Sequence, residues 1–68
     1  MYELRYGDYD NFKTMNTENF EQALRMFDKF QKFAERHNIT MCVSLFENFE
    51  HGKWLIQSVT VNPTAIIH

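Results

Sequence analysis

The side chains that could carry out catalysis or bind a metal are few, and their spacing favours neither role. The one cysteine, Cys42, lies five residues from His37 across the end of a predicted helix. A catalytic thiol needs a base within hydrogen-bond reach and a group that orients that base, and no such group is evident. A cysteine in the middle of a strand is more typical of a small packed side chain. The three histidines lack the spacing of zinc ligands, and the two glycines do not form a phosphate-binding loop, so we expect no enzymatic activity, no metal and no cofactor.

Four basic side chains, spaced four, three and four residues apart, share one face of the predicted helix. This basic ridge consists of Arg25, Lys29, Lys32 and Arg36. A row of cations can follow a phosphate backbone, so contact with nucleic acid is one interpretation. A neighbouring row of acids consists of Glu21, Asp28 and Glu35. Its spacing places these acids beside Arg25 and Lys32, which favours a solvated face whose charges neutralise one another.

Two turn-like segments interleave carboxylates with aromatic rings. The first contains Asp8, Tyr9 and Asp10, and the second contains Glu47, Phe49 and Glu50. Carboxylates beside exposed rings suit a surface that binds a basic partner protein, including a groove built for nucleic acid. The alternative is that the acids solubilise the turns while Phe46 or Phe49 packs under a hairpin.

The element that organises the chain is a helix predicted over residues 18–37. Its apolar side chains fall within about half of the helical wheel, and they are Phe20, Ala23, Leu24, Met26, Phe27, Phe30, Phe33 and Ala34. Asn16 or Thr17 is suited to cap its amino end, and Asn38 can adopt the left-handed conformation that ends a helix. Such a stripe must be covered by the rest of the chain.

Three segments have the alternation or the β-branched composition of strands, and they are residues 1–6, 39–46 and 54–62. In the second of these, Ile39, Met41, Val43 and Leu45 are expected to face the helix. Residues 47–53 are expected to form a hairpin loop. Residues 12–15 are expected to be a loop, with a short strand as the alternative, and residues 64–68 are an extra edge strand or a tail.

These elements predict an α+β fold in a single domain spanning residues 1–68. The order is β-α-β-β, with one amphipathic helix on a three-stranded sheet, or on a four-stranded one if an extra strand forms. A right-handed crossover would make the first two strands parallel, with the third strand beside the second or between the other two.

One helix covers one face of such a sheet, and the second face is expected to be apolar. We predict that this face forms a homodimer or partner interface, with contacts from Cys42, Phe46, Trp54 and Ile56. Two alternatives remain open at this point. Residues 65–67 can fold back over the face, or the patch can be tolerated in water.

Composition limits the classes of function. The net charge of −2 argues against a general nucleic-acid or membrane-surface binder, which usually has a basic excess. A chain of 68 residues builds a small core and often gains stability from a partner. No apolar run has the length of a membrane span and no signal-peptide pattern is present, so we expect a cytoplasmic protein that does not bind membranes.

The layout of a tyrosine-containing strand, an aromatic amphipathic helix and a hairpin with Gly52-Lys53-Trp54-Leu55 resembles small proteins of phages and mobile elements, anti-CRISPR proteins among them. The resemblance implies an inhibitor that occupies a functional surface of a host protein, and hence a location in the host cytoplasm. The sequence therefore favours a non-enzymatic, homodimeric protein-interaction module that modulates a host protein. The alternative is a small nucleic-acid-binding protein that uses the basic ridge.

Overall fold

The computed structural model describes residues 1–8 and 11–62, which form four strands and one helix. The elements are β1 (Tyr2–Gly7), β2 (Phe12–Thr17), α1 (Phe20–Arg36), β3 (Met41–Phe49) and β4 (Gly52–Val61). The strands pair in the order β2-β1-β3-β4, and every neighbouring pair is antiparallel. The predicted α+β class with one helix packed on a sheet is confirmed, and the sheet has four strands. The alternatives for residues 64–68 lie outside the described residues.

The strand β2 is the main correction to the predicted fold, since we expected a loop over residues 12–15. Tyr2 pairs with Thr17 and Gly7 with Phe12, so a hairpin forms before the helix begins. This hairpin reverses the chain, and β3 consequently pairs with β1 antiparallel. The predicted parallel pairing of the first two strands is therefore wrong. The strands that flank α1 in the chain, β2 and β3, do run parallel, but β1 lies between them.

The amino end of α1 is capped by Asn19, whose Oδ1 accepts a hydrogen bond from the backbone N–H of Gln22 at 3.0 Å. The predicted caps, Asn16 and Thr17, are wrong because both residues belong to β2. The Thr17 hydroxyl still accepts a hydrogen bond from the backbone N–H of Asn19, so it supports the cap indirectly. The predicted start of the helix was therefore two residues early.

The carboxyl end of α1 matches the prediction. Asn38 has a φ of 58°, in the left-handed region. The backbone N–H of Ile39 donates to the carbonyl of Ala34 at 2.9 Å, and that of Asn38 donates to the carbonyl of Glu35 at 3.3 Å. These two bonds form a Schellman motif, which satisfies carbonyls that the helix leaves without partners.

The core lies between the middle of α1 and the two central strands. It is formed by Leu4, Ala23, Phe27, Val43 and Leu45, all buried. The prediction that Val43 and Leu45 face the helix is confirmed, and Met41 packs against the same core. Ile39, by contrast, precedes β3 and is exposed. The flanks of the helical stripe are also uncovered, because Phe20, Leu24 and Phe33 are 40%, 37% and 48% exposed.

The hairpin of β3 and β4 is longer than predicted. Phe49 pairs with Gly52, so only Glu50 and His51 form the turn, and the predicted loop over residues 47–53 is wrong. A two-residue turn keeps both strands paired to the end of the hairpin. Phe49, the aromatic residue of that predicted loop, therefore lies on a paired strand.

A β-bulge divides β4. Leu45 pairs with Gln57 but Phe46 pairs with Leu55, so Ile56 is an extra residue in β4. Because side chains alternate along a strand, one extra residue reverses the faces on which the residues before the bulge lie. Leu55 therefore shares a face with Phe46, on the side of the sheet away from the helix.

Candidate interaction surfaces

The sheet face that α1 leaves uncovered, called the open face below, is polar at its centre. The hydroxyls of Ser44 and Ser58 are 3.1 Å apart, and the Thr60 hydroxyl donates to Cys42 Sγ at 3.8 Å. The exposed side chain of Thr14 extends this surface on β2. The expectation of an apolar open face is therefore wrong at its centre, which the serine and threonine side chains of β3, β4 and β2 occupy, while Leu55 lies on the same face nearer the hairpin end.

The four residues predicted to form one interface lie on two faces. Cys42 and Phe46 are half-buried on the open face. Ile56, at the bulge, packs against the core. Trp54 pairs with Glu47, and alternation along β3 places both on the helix side, where Trp54 is 65% exposed. The predicted set therefore does not form a single surface.

A charged cluster that we did not predict lies on the open face around the buried carboxylate of Glu3. Lys53 Nζ donates to Glu3 Oε1 at 2.9 Å and Asn48 Nδ2 donates to the same oxygen at 3.3 Å, while Arg5 Nη2 donates to Oε2 at 3.3 Å. Both cations also lie over the Phe46 ring, at 5.2 Å for Arg5 and 5.4 Å for Lys53. Such cation–π contacts add to the ion pairs.

The cluster links β1 to the β3–β4 hairpin, which is distant from it in sequence, and so holds the end of the hairpin on β1. The hydrogen bond from Lys53 is the main reason that the pKa of Glu3 lies below its ordinary value of 4.5. Burial of the carboxylate opposes this shift, while Asn48 and Arg5 contribute to it. The signal in the sequence was a pair of opposite charges, Glu3 and Arg5, on one face of an amphipathic strand.

The candidate nucleophile and its nearest histidine have different partners. The His37 ring packs on Phe33 with centroids 4.4 Å apart, and Cys42 accepts the hydrogen bond from Thr60. Cys42 also borders a pocket of about 230 Å³ near the end of β1. Across residues 1–8 and 11–62, no group of three or more His, Cys, Asp and Glu side chains is placed to hold a metal ion.

The basic ridge is partly neutralised, as the spacing predicted. Arg25 lies 3.9 Å from Glu21 and Lys32 lies 3.1 Å from Asp28. The expected pairing of Glu35 with Lys32 is not seen among the ion pairs of the described residues. All of these side chains are exposed, and exposed pairs of this kind contribute about 0.3–0.5 kcal/mol each.

Two cations of the ridge, Lys29 and Arg36, have no acidic partner within 4 Å in the described part of the chain. Both line a groove of about 340 Å³ beside the exposed ring of Phe33. A second groove of about 190 Å³ continues from it onto the sheet, lined by Tyr6, Lys29, Phe30, Phe33 and Met41. We call these two connected depressions the helix groove. The depression on the sheet has a mainly aromatic lining, and the one on the helix is bordered by Lys29 and Arg36 together with the Asp28–Lys32 ion pair.

Of the two acidic-aromatic loops, the described residue of the first, Asp8, and the whole of the second lie at opposite ends of the molecule. The first follows β1, where Asp8 is exposed, and its Tyr9 and Asp10 lie outside the described residues. The second is the end of the β3–β4 hairpin, with Glu47, Phe49 and Glu50. Since β1 and β3 are antiparallel, the end of β1 and the turn of the hairpin are separated along a molecule 46 Å in its longest dimension. Asp8 therefore does not share a surface with the second loop, and the placement of Tyr9 and Asp10 is outside the described residues.

The end of the hairpin carries the largest concentration of exposed apolar side chains in the described chain. Met1, Phe49, Trp54 and Leu55 are 56%, 54%, 65% and 53% exposed. The backbone N–H of Asn48 donates to the carbonyl of Met1 at 2.8 Å, which brings the first residue to the same end. We call these four residues the hairpin-end patch, in which strand alternation places Phe49 and Trp54 on the helix side and Leu55 on the open face. The sequence pointed to Phe49 and Trp54 but not to Met1 or Leu55, whose positions depend on strand register.

Comparison of the chain with protein-family models, with curated proteins and with solved structures finds no match in any of the three. Among the described residues, no helix has the length and apolar character needed to cross a membrane. The function must therefore be inferred from the surfaces themselves.

Proposed function

We propose that the chain is a non-enzymatic protein-interaction module, homodimeric in solution, whose contact surface is the hairpin-end patch. The observation that carries this proposal is the exposure of two large rings, Phe49 at 54% and Trp54 at 65%, on the helix side of one end of the sheet, with Met1 and Leu55 also exposed at that end. Apolar patches of this kind on small domains commonly mark interfaces. Burying a fully exposed apolar side chain contributes about 1.5–3 kcal/mol, and since these rings are already partly buried, each has about half of that to add on association.

The patch is also held rigidly before it binds. It sits on paired strands with a two-residue turn, and Lys53, beside Trp54, is bonded to Glu3 on β1. A preorganised surface loses little conformational entropy on binding. This supports a docking role for the patch.

The layout resemblance to anti-CRISPR proteins supports the second part of the proposal, that the module acts as a small inhibitor or modulator of a host protein. The acids of the hairpin, Glu47 and Glu50, flank the aromatic rings. A basic surface bordering an apolar site would complement this arrangement. A host partner of this chemistry is a protein with a basic-rimmed apolar pocket, and it would compete with a second copy of the chain for the patch.

The test compares two serine substitutions at phenylalanines of similar exposure. Phe49→Ser removes part of the hairpin-end patch, while Phe12→Ser changes a ring that is 49% exposed on β2. We expect the wild-type chain and Phe12→Ser to associate to dimers between about 1 µM and about 1 mM in sedimentation equilibrium, and Phe49→Ser to remain monomeric. Equal association of the two variants would contradict the assignment of the patch, and a monomeric wild type would contradict the dimer.

A second candidate function, nucleic-acid binding, is favoured by Lys29 and Arg36, which have no ion pair in the described chain, beside the exposed Phe33 ring. Cations and an aromatic ring together can bind phosphate and stack on a base. Fluorescence anisotropy with a labelled single-stranded oligonucleotide at about 50 mM salt tests it, because phosphate binding is strongest at low salt. Binding that is lost in Lys29→Glu but kept in Arg25→Glu would support it, and absence of binding by the wild type would exclude it.

A further inference from the structure

The two exposed aromatic surfaces of this molecule differ in the sign of the charges around them. The hairpin-end patch is flanked by the carboxylates of Glu47 and Glu50. The helix groove is bordered by Lys29 and Arg36, which lack acidic partners within 4 Å in the described residues. The acidic hairpin-end patch and the basic helix groove are therefore complementary in charge, and both offer apolar rings that can pack together.

These surfaces also lie on the same side of the sheet. Trp54 pairs with Glu47, and both alternate onto the helix side together with Phe49. The helix groove is formed by α1 itself together with Tyr6 and Met41. Two molecules can therefore bring both surfaces together by facing each other with their helix sides.

The surfaces are at opposite ends of the molecule. Phe20, the first residue of α1, contacts Tyr2 with ring centroids 5.1 Å apart, near the hairpin end. Phe30 stacks on Tyr6 at 4.1 Å, near the far end of β1, and the groove lies there. An antiparallel arrangement of two copies thus places each hairpin end beside the groove of the other copy.

We propose that the occupant of the helix groove is the hairpin-end patch of a second copy of this chain, and that the two copies form an antiparallel two-fold dimer. This inference rests on the proposed function and names the surface that receives the patch. In the dimer, Phe49 and Trp54 of one copy pack on the aromatic lining of the groove of its partner, and Glu50 lies beside Lys29. The two-fold symmetry makes both contacts equivalent and closes the assembly at two copies.

The choice of a second copy follows from charge and geometry together. Each molecule has an acidic hairpin end and, at the groove, two cations without an ion pair among the described residues, so antiparallel alignment brings opposite charges together at both ends. A parallel alignment would place carboxylates beside carboxylates at the hairpin ends. Like charges in such positions are destabilising, which selects the antiparallel arrangement.

Two charge reversals and their mixture test the arrangement. Glu50→Lys reverses the hairpin charge, Lys29→Glu reverses the groove charge, and Arg25→Glu is the control one turn away on the same helix. We expect the homodimer dissociation constants of Glu50→Lys and Lys29→Glu to rise by about threefold to thirtyfold, because two symmetric contacts are lost in each. Arg25→Glu should stay within about twofold of the wild type.

The mixture of the two variants gives the sharpest result. Each hairpin then meets a groove of opposite charge, so we expect Glu50→Lys and Lys29→Glu to form a heterodimer with wild-type affinity. A mixture no tighter than the separate variants would overturn the inference.

The homodimer affinity of Lys29→Glu, measured without the other variant, distinguishes failure of this inference from failure of the proposed function. If the hairpin ends of two copies contact each other instead, Lys29→Glu dimerises as the wild type does. That result would overturn the antiparallel docking but leave the proposed interaction module intact. If the wild-type chain is monomeric throughout, both are overturned. Loss of dimer in Lys29→Glu, with recovery in the mixture, supports the antiparallel docking.

Discussion

At the scale of single residues, the position with the most polar contacts is Glu3. Its carboxylate accepts hydrogen bonds from Lys53, Asn48 and Arg5, and these residues come from β1, β3 and β4. A buried carboxylate is costly without such partners, and with them it fixes the strands that it joins. Glu3 thus holds the end of the β3–β4 hairpin, which carries the hairpin-end patch, against β1.

The residue-scale prediction concerns Glu3→Gln, which keeps the shape of the side chain but removes its charge. We expect a loss of about 1–2 kcal/mol in the free energy of unfolding near pH 7, measured by urea denaturation. Glu35→Gln, on the exposed surface of α1, is the matched control and should change stability little. An unchanged stability of Glu3→Gln would show that the cluster does not stabilise the fold.

The pH dependence of stability follows from the direction of the pKa shift. Because the pKa of Glu3 is lowered in the folded state, mainly by the hydrogen bond from Lys53, its contribution is present above the ordinary value of 4.5. The contribution is lost as the pH falls through the lowered pKa. The wild type should therefore lose more stability than Glu3→Gln between pH 7 and about pH 3. Parallel pH profiles of the two proteins would contradict this assignment.

At the scale of elements, the ends of α1 show how far local chemistry determines structure. The carboxyl end depends on Asn38 in the left-handed conformation, and its sequence signal was clear. At the amino end we predicted Asn16 or Thr17 as the cap, but both belong to β2, and Asn19, which we did not consider, is the cap. A cap position therefore depends on where the preceding strand ends.

The element-scale prediction compares two asparagines near that end. Asn19→Ala removes the hydrogen bond to the backbone N–H of Gln22 and should cost about 1 kcal/mol. Asn16→Ala, on exposed β2, should cost much less if Asn16 has no capping role. Thermal denaturation followed by circular dichroism measures both. A larger loss for Asn16→Ala than for Asn19→Ala would contradict the cap assignment.

The helix, its carboxyl end and three strands could be predicted because each is encoded in a local pattern. Strand β2 could not, because Lys13, Thr14 and Asn16 give it no apolar alternation and its pairing with β1 is what makes it a strand. The bulge at Ile56 could not be predicted either, since it depends on how β4 fits against β3. Because of this extra residue, Trp54 lies on the helix side, whereas we predicted it on the open face. The charged cluster around Glu3 depends on the same register.

At the scale of the whole molecule, the helix side, rather than the open face, holds the aromatic surfaces. The open face is occupied by hydroxyl groups and by the charged cluster, both internally bonded. Apart from Phe12 on β2, the exposed rings of the described residues lie at the hairpin end and along the flank of α1, and the charges beside the hairpin end and the helix groove are opposite in sign. The central claim is therefore that the hairpin-end patch is the surface through which this protein associates.

The most direct test of that claim uses Trp54, the single tryptophan of the chain and the most exposed member of the patch. Its fluorescence emission is recorded while the protein is diluted from about 1 mM to about 1 µM, a range that brackets ordinary dimer affinities. The account predicts blue-shifted emission at high concentration, as the indole becomes buried, and a return to solvent-exposed emission on dilution. Emission that stays solvent-exposed across the whole range would contradict it.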